Sequence, residues 1–188
     1  DRYAGSIAKL LVLVQDTGAK GRHFGGVNLV RRLTQRVSTT APIKGRIEDK
    51  SGFGDNANTI GQIFAARGLL KAHSPLAKPA LRFLLLQACG QGFFRLDFNA
   101  DKTATSQGCR GKSTADTDVT ALAVIELWQF RKQSGDLVKV LDTAAQWLSR
   151  HQADNGSFGG GGPTAAANTN STGLAGWALR VAGRCAPA

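Results

Sequence analysis

Methionine is missing from this 188-residue chain, tyrosine occurs once, and histidine and cysteine occur three times each. Long apolar runs are missing too. The longest, Leu10–Val14 and Phe83–Leu86, fall far short of the roughly 20 residues that span a bilayer as a helix, so no transmembrane segment is expected. No CxxC pair and no paired histidines accompany the cysteines, which removes the usual zinc signatures. His23, His73 and His151 fall in loops or at helix ends, apart from the cysteines, and no Ser/His/Asp arrangement has support. No metal and no cofactor is expected. The run Gly159–Gly162 lacks a following Lys-Ser/Thr and a preceding strand, so it reads as a flexible loop and not as a phosphate cradle. Without an initiating Met or a signal peptide, the chain is expected to be a processed product or an excised fragment.

What is abundant is positive charge. Lys and Arg outnumber Asp and Glu by 24 to 13, a net +11. The cations are scattered, and no lysine stripe interleaves with aromatics. The pattern describes a solvated basic surface suited to anionic envelope polymers; no nucleic-acid partner is expected. Cys89 and Cys109 flank a 19-residue polar segment between two helical stretches, a natural disulfide-closed loop in an exported protein. Cys185 is left over, with its partner expected in absent sequence or on another chain.

Apolar spacing predicts helices over Tyr3–Asp16, Val27–Val37, Asn58–Ala72, Lys78–Ala88, Val119–Lys132, Leu137–His151 and Ser171–Ala182. Apart from a short extended piece at Phe93–Phe98, no strand pattern is present, and the chain reads as all-α. Three helix openings align, at Asn58-Thr-Ile-Gly, Asp118-Val-Thr-Ala and Asn170-Ser-Thr-Gly. Each starts with a residue able to accept hydrogen bonds from a first helical turn and carries Gly or Ala three residues on. Each follows a glycine–aromatic turn: Gly52–Phe53–Gly54, Gly92–Phe93–Phe94 and Gly156–Ser157–Phe158. Arg2 to Ser6 starts a degenerate fourth copy. Residues 1–188 are expected to form one domain of about four helical-hairpin repeats.

Gln152-Ala-Asp-Asn-Gly-Ser-Phe, followed by Asn170-Ser-Thr-Gly-Leu-Ala, and more loosely Gln87 to Leu96, resemble the repeats of the α/α-toroid superfamily of terpenoid cyclases and protein prenyltransferases. The chain is most similar to exported actinobacterial proteins with prenyltransferase/squalene-oxidase-type repeats. The resemblance implies an incomplete ring of inner and outer helices, belonging to a longer one, in a secreted or cell-surface bacterial protein. It implies a central cavity at the N-termini of the inner helices. Asn58, Phe64, Asp118, Trp128, Asn170 and Trp177 are the candidate cavity and ligand residues. Asp116-Thr-Asp118-Val-Thr-Ala resembles the D-x-D-D-T-A motif of class II terpenoid cyclases, which implies Asp118 as general acid with Asp116 beside it. Val119 stands where the next aspartate belongs. The competing role for Asp118 is a helix cap shared with Asn58 and Asn170. The function expected is a non-catalytic binding or interaction module at the cell surface, holding a small molecule or an envelope or protein partner; the alternative is a cyclase-like enzyme.

Overall fold

The computed structural model describes residues 2–111 and 113–184. Among these residues there are seven α-helices, two short 3₁₀ segments and no strands, only isolated bridges. The chain is all-α. It divides into two compact units, one formed by residues 2–86 and 97–107, the other by residues 87–96 and 108–184.

In unit one the helices are α1 (Ala4–Asp16), α2 (Leu29–Thr34), α3 (Thr59–Lys71) and α4 (Ala77–Leu85). Helix α3 is the core, burying Ile63, Ala65, Ala66, Leu69 and Leu70, with α1 and α4 packed against it. Helices α1 and α3 run parallel. Gly5 meets Gly61 at their starts, where a β-carbon on Gly61 would lie 3.1 Å from the Gly5 Cα. At their ends Gln15 Nε2 donates to the Gly68 carbonyl (2.9 Å) and Lys71 Nζ to the Gln15 carbonyl (3.0 Å). Tyr3 offers α1 no side-chain cap, and the loop supplies one: the Ala4 N–H donates to Asp49 Oδ1 at 2.7 Å. The segment 97–107 returns to this unit through Phe98, edge-on to Phe83 with centroids 5.2 Å apart. Lys102 lies 2.8 Å from both Glu48 and Asp55, and Asp55 also holds buried Arg46 at 3.0 Å.

Unit two comprises α5 (Thr117–Leu127), a 3₁₀ extension through Trp128–Gln133, α6 (Gly135–Arg150), a 3₁₀ turn at Gly162–Thr164 and α7 (Thr169–Val181). Helices α5 and α7 make the closest pairing, and α6 packs against both. Its core is Val119, Val124, Leu127, Leu137, Leu141, Leu148, Phe94 and Phe158. The expected disulfide is present in this unit: Cys89 and Cys109 are bonded, with Cα atoms 5.2 Å apart. Cys185 lies outside the described residues.

The repeat is present in a register that differs from the expected one. The caps are Asn58, Asp116 and Asn168, whose side chains accept from the N–H of Gly61 (3.2 Å), Val119 (3.0 Å) and Ser171 (2.8 Å). Asp118 and Asn170 each sit two residues inside the helix and cap nothing. Four residues after each cap, a side chain holds the backbone of the preceding loop. The Ile47 N–H donates to Gln62 Oε1 (2.9 Å), that of Phe94 to Thr120 Oγ1 (2.9 Å), and that of Phe158 to Thr172 Oγ1 (3.0 Å). The first turn of the series is therefore Gly45–Arg46–Ile47, and not Gly52–Phe53–Gly54, whose Phe53 is 86% exposed. Gly45, Gly92 and Gly156 share the position and a positive φ of 95°, 108° and 81°, a conformation that only glycine adopts without strain.

Candidate functional site

The candidate site lies where α5 and α7 begin. Asp116 sits in a β-like backbone conformation before α5 and spends Oδ1 on the Val119 N–H. That geometry satisfies one of the four N–H groups left open by a helix start. Asp118 then faces away from the capping role, in the first turn, where the helix dipole favours a negative charge. Its Oδ1 is buried and has no hydrogen-bond partner. On α7 the corresponding cap is Asn168, and Ser171, third in the helix, is fully buried with an equally unpartnered Oγ.

A glycine-rich segment joins the two. The Phe158 carbonyl receives the Asn168 N–H (3.0 Å), and Gly159 pairs with Ala167, so residues 159–167 form a closed loop. Inside it the Gly160 N–H donates to the Thr164 carbonyl (2.8 Å), and Thr164 Oγ1 accepts from the Gly161 N–H (3.2 Å). Gly160 passes directly over Asp118 and Ser171. A β-carbon there would lie 3.0 Å from Asp118 Oδ2, 3.0 Å from Ser171 Oγ and against Thr164 Oγ1. A larger residue would have to displace Thr164 Oγ1, and the carboxylate and the hydroxyl both lie against Gly160. The other carboxylate oxygen, Asp118 Oδ1, and Ser171 Oγ are removed from water without partners and leave unmet hydrogen-bonding capacity costing about 1–3 kcal/mol each.

Of the other expected cavity residues, Trp128, Asn170 and Trp177 belong to this unit. Asn58 and Phe64 belong to unit one, where Asn58 caps α3 and the Phe64 ring carries Lys9 Nζ 5.8 Å from its centroid. Trp128 lies at the far end of α5 with the Arg131 guanidinium 4.7 Å from its ring. Trp177 is 56% exposed on α7, and Asn170 is exposed on its first turn. No three His, Cys, Asp or Glu residues are grouped to hold a metal among the described residues.

Ser171, Gly160 and Thr164 were not foreseen as site residues. A signal for the true register was available: Asn58, Asp116 and Asn168 are each followed by threonine, which would have moved two caps back by two residues and released Asp118. At the position of Asp118, the first copy has Ile60 and the third Asn170. The helix start therefore does not require an acid there. Comparison with models of protein families and with curated proteins finds no match to this chain.

Proposed function

We propose that this is an extracytoplasmic, non-catalytic binding protein of the α/α-toroid kind, which holds a small polar molecule at the N-terminal ends of α5 and α7. The observation that carries the reading is the pair of buried, unpartnered oxygens, Asp118 Oδ1 and Ser171 Oγ, at the starts of two helices that pack together. Folded proteins rarely leave such groups unmet, and polar groups of a ligand would supply partners. Three repeated helix openings support the toroid assignment, because such openings place loop ends and caps on one face of each helical pair. The disulfide fits an oxidising compartment, and no helix among the described residues is long and apolar enough to cross a membrane.

Native mass spectrometry of protein purified from its source tests this. A bound mass of some hundreds of daltons, lost in Asp118→Asn and Ser171→Ala, is the expected result. A bare mass in the wild type overturns it.

General-acid chemistry at Asp118 is the second reading, favoured because Asp116 does the capping and leaves Asp118 without a structural duty. Against it stand Val119 in place of a further aspartate, which would have helped activate the acid, and the placing of Trp128 beyond the far end of α5 and of Trp177 in solvent, which leaves a carbocation without the aromatic walls it needs. Turnover of an alkene or epoxide substrate that disappears in Asp118→Asn would favour the enzyme over the binder.

A further inference from the structure

Unit one presents a nearly bare aromatic side chain on a well-built turn. Phe53 is 86% exposed, yet its backbone is firmly held. Ser51 Oγ donates to the Gly54 carbonyl (2.8 Å) and accepts the Phe53 N–H (3.2 Å), while Asn56 Nδ2 donates to the Phe53 carbonyl (3.4 Å). Three hydrogen bonds thus fix a turn whose tip is a phenyl ring in water. The turn is tied to the start of the chain, since the Lys50 N–H donates to the Arg2 carbonyl at 2.8 Å. Next to Arg2, Tyr3 is 41% exposed. Tyr3, Lys9 and Asn56 line one open cleft of about 260 Å³ beside the turn. Two aromatics and three exposed cations, Arg2, Lys9 and Lys50, therefore share one end of the unit. The acids bordering it are engaged: Asp49 lines the cleft but takes the Ala4 N–H, and Asp55 holds Arg46 and Lys102.

We propose that this end of unit one docks on a membrane surface containing anionic phospholipid. Phe53 and Tyr3 enter the boundary between headgroups and acyl chains, and Arg2, Lys9 and Lys50 lie against the headgroup phosphates. A soluble polyanion would satisfy the cations and leave Phe53 in water. The exposed ring is what separates a lipid surface from a merely acidic partner, because an amphipathic contact of this kind combines apolar insertion with attraction to anionic lipid.

Co-sedimentation with vesicles tests it, using phosphatidylcholine alone and phosphatidylcholine with about 30% phosphatidylglycerol, an anionic surface that attracts juxtaposed Lys and Arg. Binding is expected to the anionic vesicles only. Removing a buried phenyl is expected to weaken it roughly tenfold or more in Phe53→Ser, and losing a single surface cation roughly fivefold in Lys50→Gln. Both substitutions lie on an exposed turn, so circular dichroism should be unchanged. Arg150→Gln, an equal charge change in unit two, is expected to have little effect. Equal weakening by Arg150→Gln and Lys50→Gln would mean that net charge alone drives binding and overturns the proposal. So would unchanged binding in Phe53→Ser, or binding to soluble heparin but not to vesicles.

Discussion

Asp116 and Asp118 are two residues apart and chemically identical, yet the fold gives them opposite work. Asp116→Ala is expected to lower stability by about 1 kcal/mol, the usual worth of an N-cap, while Asp118→Asn is expected to lower it by no more than about 0.5 kcal/mol, the worth of a first-turn charge in the helix dipole. Urea unfolding of the two variants checks this, and an Asp118→Asn as destabilised as Asp116→Ala would show that the Asp118 carboxylate has a structural duty. Asp55 is a third case. Burial opposes its charge, but Lys102 and the N–H groups of Asp49 and Ala57 outweigh that and hold its carboxyl below the ordinary aspartate value of 3.8. A lowered folded-state pKa means that its contribution is complete above the unfolded value and vanishes as pH falls through the folded one. The stability gap between wild type and Asp55→Asn, about 2 kcal/mol at neutral pH for hydrogen bonds to a charged group, should therefore close in acid. A gap that stays constant on acidification would show that Asp55 matters only for its shape.

At the scale of the helix and its preceding loop, the working device is a side chain one turn into the helix that holds the loop's backbone. Thr120→Val keeps the volume but strands the buried Phe94 N–H, and about 2 kcal/mol should be lost. The same change at Thr172, which holds the partly buried Phe158 N–H, should cost less. Hydrogen exchange at the Phe94 amide in Thr120→Val is the direct readout. These pins also account for what could be read in advance. All seven helices follow from apolar spacing, because burial of Ile7, Leu11 and Val14, or of Leu137, Leu141 and Leu148, imposes it. Of the three cap positions, Asn58 followed and the other two did not. Asp118 and Asn170 are as able to cap as Asp116 and Asn168, and only contact with the preceding loop decides between them. Gly52–Phe53–Gly54 misled for a related reason: the first copy spans Ser38 to Gly45 where the later copies use a tight turn, and the pinned residue is Ile47 instead of phenylalanine. The site was half legible. Asp118 stood out by its motif, but Ser171 was invisible, because the meeting of two helix starts beneath Gly160 is a tertiary event.

Across the whole molecule, all three tryptophans, Trp128, Trp147 and Trp177, belong to unit two, as does the disulfide. Tryptophan fluorescence therefore reports that unit alone, while circular dichroism reports both. Cys89→Ala with Cys109→Ala is expected to cost about 3 kcal/mol, the entropy of a loop near 20 residues released in the unfolded chain. The fluorescence transition in urea should move accordingly; an unmoved transition would show that the bond constrains nothing. The residues the bond encloses do not all stay with it, since 97–107 form part of unit one while both cysteines lie in unit two. A protease that cuts once inside that enclosed stretch produces two polypeptides but no smaller particle. The pieces stay clasped and run as a single band, and only a thiol reductant reveals that the chain has been severed.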